Sequence, residues 1–255
     1  MNLKLQIKGE TMRSLMVLVF LSAGGVCGAA ENVKNWEFKA AEVNTIQVET
    51  DSGEIKLAVA EGPAVKAELT GEYDAEKCAL TAEAKGGKLL LKAEGKKRAL
   101  WGNYDCKAGF SVTAPAGKKL FLKSGAGNVE AGAFTAGAEV AAGAGNLKLG
   151  GLSGTLKLSS GAGSLSGTVY SEDLKSITGA GSVDLAWLKA PKAGKASITT
   201  GAGSINLVFP AATKLNIQQT TGVGSFESEI ANDAAAPFKL KATTGAGSIR
   251  IKKSN

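Results

Sequence analysis

Ser160-Gly161-Ala162-Gly163-Ser164-Leu165 decides how this chain is read, because its Gly-X-Gly unit returns six more times between residue 120 and the C terminus. The units begin at Gly125, Gly143, Gly161, Gly179, Gly201, Gly222 and Gly245, and close at Gly127, Gly145, Gly163, Gly181, Gly203, Gly224 and Gly247. The successive spacings are 18, 18, 18, 22, 21 and 23 residues. A period of this length is the mark of stacked repeats, each of which cannot bury its apolar side alone. A weaker copy stands at Asp51-Ser52-Gly53, between Ile46-Gln47-Val48-Glu49-Thr50 and Glu54-Ile55-Lys56-Leu57.

Working outward from each first glycine, two columns are apolar in every copy. Five residues before it stand Leu120, Ala138, Leu156, Leu174, Ala196, Ile217 and Leu240. Four residues after it stand Val129, Leu147, Leu165, Val183, Ile205, Phe226 and Ile249. Polar and apolar residues mostly alternate between them, as in Leu156-Lys157-Leu158, and alternation is the signal of a half-buried strand. Each repeat therefore reads as strand, glycine corner, strand, with glycine supplying the positive φ that a sharp bend requires. The alanine between the glycines, replaced only by Val223, suggests a corner packed against its neighbours. A coil of about 18 residues at roughly 3.3 Å each has room for two short strands and two turns, and coils stacked about 4.8 Å apart build a thin rod. The expected fold class is all-β, a parallel β-helix (β-solenoid) with glycine-cornered coils of about 18–23 residues, the copies following one another up the stack and the N-terminal part more irregular; an antiparallel sandwich or barrel is the alternative.

Residues 58–119 lack the glycine mark. Strand signals persist at Val65–Leu69 and Phe110–Val112, and residues 80–84 and 88–92 read as a hairpin through Gly86-Gly87. This stretch is either a set of degenerate coils or a hairpin lobe. No Pro/Ser-rich linker divides the chain, so residues 31–255 are taken as one domain with regular repeats over 120–255.

Residues 1–30 carry Arg13, the apolar run 15–21 and small residues through Ala30, the order of a secretory signal peptide. Met12 fits that order better as a start than Met1, and Cys27 raises a lipoprotein alternative that Val26 before it disfavours. Loss of residues 1–30 removes Lys4, Lys8, Arg13 and Glu10 and lowers the formal charge from +7 to +5. That mild excess suits weak attraction to anionic polymers but brings no nucleic-acid motif with it. In an oxidising compartment Cys78 and Cys106 have one internal pairing open to them, and two free buried thiols are the alternative. The expected location is the periplasm, the outer cell surface or the medium.

From about Trp36 onward the chain resembles the bacterial putative-adhesin families of β-strand-repeat proteins, relatives of the GIN-type autotransporter adhesin head domain. The likeness is carried by residues 46–55, by Val112-Thr113-Ala114-Pro115-Ala116-Gly117, and by the repeated Ser/Thr-Gly-Ala-Gly-Ser/Asn-aliphatic units. It implies a right-handed β-helix at the cell envelope and implies no reaction.

The chemistry points the same way. The chain has no histidine, which removes the usual neutral-pH base and the commonest metal ligand. Asp184, Glu227, Glu229 and Asp233 are scattered among repeats, and no dinucleotide, phosphate-loop or calcium-roll spacing accompanies the glycines. No catalytic, cofactor or metal site is expected. Thr199-Thr200, Thr220-Thr221 and Thr243-Thr244 should form ladders with one column facing out. Lys96-Lys97-Arg98 with Trp101 and Tyr104 is a candidate patch for an anionic glycan. The reading is an exported, non-enzymatic adhesin or envelope-binding protein whose partner is a surface glycan, an envelope protein or its own kind. A carbohydrate-active enzyme and an envelope-stress regulatory module are the alternatives.

Overall fold

The computed structural model describes residues 34–98 and 102–254, so residues 1–30, with Met12 and Cys27, lie outside it. The chain is all-β, with a 3₁₀ turn at Ala40–Glu42 and no α-helix among the described residues. The first strands are β1 (Asn35–Lys39), β2 (Thr45–Thr50), β3 (Ile55–Val59) and β4 (Ala64–Glu72). β5 (Cys78–Lys85), β6 (Lys88–Gly95) and β7 (Lys107–Ala114) follow. The repeats supply β8 (Lys119–Ser124), β9 (Val129–Ala131), β10 (Ala138–Ala144), β11 (Leu147–Ala162), β12 (Leu165–Ala180), β13 (Val183–Trp187) and β14 (Gly194–Ala202). β15 (Ile205–Pro210), β16 (Asn216–Val223), β17 (Phe226–Ser228), β18 (Phe238–Ala246) and β19 (Ile249–Ser254) complete one continuous sheet of mixed parallel and antiparallel strands.

Two parallel ladders run through that sheet, one made by strands leading into a corner and one by strands leaving it. The leading ladder stacks β6, β2, β8, β10, the second half of β11, the second half of β12, β14, β18 and β16. The trailing ladder stacks β7, β3, β9, the first half of β11, the first half of β12, β13, β15, β19 and β17. Equivalent residues meet in register: Leu120, Ala138, Leu156, Leu174, Ala196, Leu240 and Ile217 form one column, and Val129, Leu147, Leu165, Val183, Ile205, Ile249 and Phe226 the other. Both columns are buried except at β16 and β17, where Ile217 is half-buried and Phe226 is 36% exposed.

The order of the rungs corrects the sequence expectation at both ends. The Gly245 rung, last in the chain, lies between the Gly201 and Gly222 rungs, because β18 pairs with both β14 and β16. The Asp51 rung, first in the chain, lies between β6–β7 and β8–β9. Both terminal rungs are therefore hydrogen-bonded on two sides, where a strand at a chain end would otherwise fray. The inward residues match this order: Phe238, Leu240, Ala242, Ile249 and Ile251 are at most 1% exposed, whereas the Gly222 rung carries Gln219 and Ser228 at inward positions. A repeat stack needs a polar last rung to remain in solution. Lys252 and Lys253 lie on β19, so they flank the apolar Gly245 rung and not the outermost one.

At the opposite end the region 58–119 supplies both structures that its sequence left open. β6 and β7 form a rung, β5 folds back on β6 through Gly86-Gly87, and β4 runs antiparallel to β7 with β1 antiparallel outside it. Gly86 and Gly87 have φ of +58° and +78°, the left-handed backbone that a tight hairpin demands. Aromatic rings fill the interior where coils lengthen from 18 to 22 residues: Trp187 stacks on Phe209 at 4.3 Å, and Phe238 meets Phe209 edge-on at 6.5 Å. Amide exchange tests the rung order. Residues 239–251 should exchange more slowly than residues 216–228, despite lying nearer the chain end, and the reverse ranking would place the Gly222 rung inside.

Candidate functional site

The corners are built by close approach of backbones. A Cβ on Gly201 would stand 2.6 Å from the carbonyl oxygen of Gly179, and one on Gly245 would stand 2.6 Å from that of Gly201. Real Cβ atoms do not tolerate such distances, so the first glycine is required for space. The closing glycine is required for conformation as well, since Gly163 has φ +143° and Gly203 +145°. The intervening alanines Ala126, Ala144, Ala162, Ala180, Ala202 and Ala246 are exposed, which corrects the expectation of a packed corner: they point outward and touch solvent.

Just ahead of each corner runs a column of small or hydroxyl residues, Thr50, Ser124, Ala142, Ser160, Thr178, Thr200, Thr244 and Thr221, mostly buried. Thr200 Oγ1 donates to the Gly181 carbonyl at 2.9 Å and Thr244 Oγ1 to the Gly203 carbonyl at 2.8 Å, tying each rung to the one beneath. A second polar column follows the corner. Asn146 N donates to Asn128 Oδ1 and Ser164 N to Asn146 Oδ1, each at 2.9 Å. As alternation requires, the outward threonines form one column, ordered Thr199, Thr243, Thr220.

The two outer faces differ in charge. On the trailing face every charged residue of the central column has a partner: Lys56 meets Glu54 at 2.9 Å, Lys148 meets Glu130 at 3.0 Å, and Arg250 meets Glu227 at 3.5 Å. Asn206 Nδ2 donates to Asp184 Oδ1 at 2.6 Å. On the leading face the corresponding column runs Phe121, Glu139, Lys157, Lys175, Ser197, Lys241, Gln218, with Asp173, Lys195, Lys239 and Asn216 beside it. Lys157 lies 3.8 Å from Glu139. Lys175, Lys195, Lys239 and Lys241 are exposed and, among the described residues, have no carboxylate within 4.0 Å. Sequence reasoning missed this cluster, although a lysine four residues before the first glycine recurs at Lys157, Lys175 and Lys241.

The other candidates gather at the hairpin end. Cys78 and Cys106 are joined, with Cα atoms 5.3 Å apart, linking the start of β5 to the approach of β7. Lys97 and Asn103 form an isolated antiparallel bridge, and the Arg98 guanidinium lies 4.9 Å from the centre of the Tyr104 ring. Lys96 Nζ is spent on the Ala75 carbonyl at 2.7 Å, and Trp101 lies outside the described residues. Beside the disulfide, Glu72, Tyr73, Asp74, Lys77, Asp105 and Lys107 line an open hollow of about 510 Å³. Asp74 accepts a hydrogen bond from Lys77, which holds its carboxyl below the ordinary range and raises the lysine in turn. That shift makes Asp74 a weaker base, the opposite of what proton transfer near neutral pH needs. The carboxylates of Asp184 and Glu227, on β13 and β17, are separated by three rung steps of about 4.8 Å, roughly 14 Å, beyond the spacing of a glycosidase pair.

No family model and no curated protein matches this chain. Solved structures do. A protein of Bacteroides fragilis described as a "putative adhesin" aligns with 87% of this chain and 98% of its own at 17% identity and a TM-score of 0.53. A "putative cell adhesion protein" of Clostridium sporogenes aligns with 87% of this chain and 99% of its own, at 13% identity and a TM-score of 0.37. A "putative adhesin" of Parabacteroides distasonis covers 86% of this chain and 96% of its own, at 10% and 0.43. The first of these establishes a shared fold.

Two substitutions separate the corner's outer and inner positions. Gly163→Ala should lower stability by about 2–3 kcal/mol and the thermal midpoint by about 5–10 °C, whereas Ala162→Ser should change stability by less than about 0.5 kcal/mol. Equal effects in thermal melts would contradict the outward alanine. Replacing both Cys78 and Cys106 by serine opens a loop of 28 residues' separation and should cost about 3–4 kcal/mol, read from urea unfolding of the oxidised parent against the variant.

Proposed function

We propose that this chain is an exported, non-enzymatic binding module of the bacterial envelope, built as a right-handed β-solenoid whose outward columns present an adhesive surface. The observation that carries the reading is the lattice of exposed side chains, held in register over successive rungs by backbone hydrogen bonds. Such a lattice is rigid before binding, so little conformational entropy is lost when it meets an extended or repeating partner. The fold shared with the Bacteroides fragilis protein, itself described as a "putative adhesin", supports the same direction. Export is supported by the charged-then-apolar-then-small order of residues 13–30 and by the Cys78–Cys106 bond, which belongs to an oxidising compartment.

The partner belongs to the cell surface: a glycan, an envelope protein or a second copy of the chain. Self-association would use the rung β16–β17, whose strands among the described residues pair with β18 and β19 on one side, while Asn232 bonds the start of β16 and leaves the rest of that edge open. An edge of this kind accepts a strand from another chain. Purified residues 31–255 should sediment with isolated envelope fractions and bind intact cells in a saturable manner. A protein that stays in the supernatant with every envelope fraction, and remains monomeric at high concentration, would end the adhesive reading.

A further inference from the structure

We propose that the leading face between β12 and β18 is a binding site for an anionic polysaccharide, an inference that rests on the envelope-binding reading and assigns its ligand. Lys175, Lys195, Lys239 and Lys241 lie on three successive rungs, β12, β14 and β18. Neighbouring rungs are about 4.8 Å apart, and alternate residues of one strand about 6.6 Å, so the ammonium groups rise from adjoining points of one small lattice. Lys195 and Lys239 are directly paired in register. Like charges at such separations repel by about 1 kcal/mol per pair in water, and the nearest acid in register, Asp173 beside Lys195, makes no ion pair within 4.0 Å. On the trailing face the same architecture pairs the charges of its central column, Lys56, Lys148 and Arg250. These four lysines thus form a dense unpaired basic cluster on the leading face, where a polyanion would relieve their repulsion.

The surroundings select the kind of polyanion. Ser197, Thr199, Thr243 and Ser159 lie outward among the lysines and offer hydroxyl donors and acceptors to sugar hydroxyls. Ile177, 47% exposed, is the large apolar side chain on this part of the face. A membrane-surface element needs a broad apolar side to sink below the headgroups, and this face carries hydroxyls and ammonium groups there instead. A flat lattice with a fixed repeat along the rod fits a linear polymer whose carboxylates or phosphates also repeat.

The test uses residues 31–255, polygalacturonate as the carboxylated polymer, dextran as its neutral counterpart, phosphatidylglycerol vesicles and duplex DNA. The parent protein should bind polygalacturonate with an affinity that falls as salt rises, and should ignore dextran. K175E/K239E should weaken binding about tenfold or more, while K66E/K252E, an equal charge change placed off the face on β4 and β19, should leave it within about twofold. Circular dichroism checks that both variants are folded. Equal losses in the two variants would reduce the effect to net charge and overturn the site, as would unchanged binding in K175E/K239E. Binding of vesicles or DNA as tight as that of polygalacturonate, lost in the same variant, would overturn the choice of ligand. If envelope fractions still bind K175E/K239E as they bind the parent, this assignment fails and the envelope-binding reading survives; if the parent itself binds no envelope fraction, the broader reading fails first.

Discussion

Backbone hydrogen bonds between successive rungs hold everything else in place. Parallel strands in register bring each corner directly over the one beneath, close enough that the carbonyl oxygen of one first glycine occupies the space a side chain on the next would need. The repeated glycines follow from that contact, and so do the columns. Once the corners coincide, side chains five residues before and four residues after them must coincide as well, buried ones in a continuous core and exposed ones in outward files. The buried hydroxyls of Thr200 and Thr244 add bonds to the rung below at the point where the backbone bends and its own ladder is interrupted.

A stack of this kind has two ends, each with unpaired backbone groups, and the chain treats them differently. At the hairpin end β4, β5 and β1 turn antiparallel and cover the last rung, and the Cys78–Cys106 bond fastens the start of β5 to the approach of β7. At the other end a polar rung, with Gln219 and Ser228 where aliphatic residues stand elsewhere, is placed outermost, and the apolar C-terminal rung is threaded beneath it. This threading also shapes the surface. It sets Lys239 beside Lys195 rather than beside Asn216 alone, and brings Lys241 within two rungs of Lys175, so the basic cluster on the leading face is a product of rung order.

The two outer faces differ in how their charges are matched. The central column of one is electrically closed, Lys56, Lys148 and Arg250 each matched to a carboxylate on a neighbouring rung or two residues away along the strand, while the other leaves Lys175, Lys195, Lys239 and Lys241 unmatched among hydroxyls. Exposed ion pairs contribute little to stability, so the matched face loses little by being matched and attracts little at long range. The unmatched face is where an anionic partner gains most, because its lysines rise from backbone positions already in register.

Much of this architecture was legible in the residues alone. Gly-X-Gly at each bend, the apolar columns around it, the hairpin through Gly86-Gly87 and the single outward threonine file all depend on local backbone conformation and on alternation along one strand. A Gly residue, a period of two and a turn are properties of a few consecutive residues, and they report inside from outside without reference to the rest of the chain. The outward alanines, the exchanged terminal rungs, the caps and the lysine cluster were decided by the tertiary structure. Rungs with nearly the same corner and the same apolar columns can pair with one another in any order, so local sequence leaves their succession almost degenerate. The choice falls to long-range terms: which rung has polar residues to turn toward water, which has only aliphatic ones to bury, and which end a disulfide holds shut.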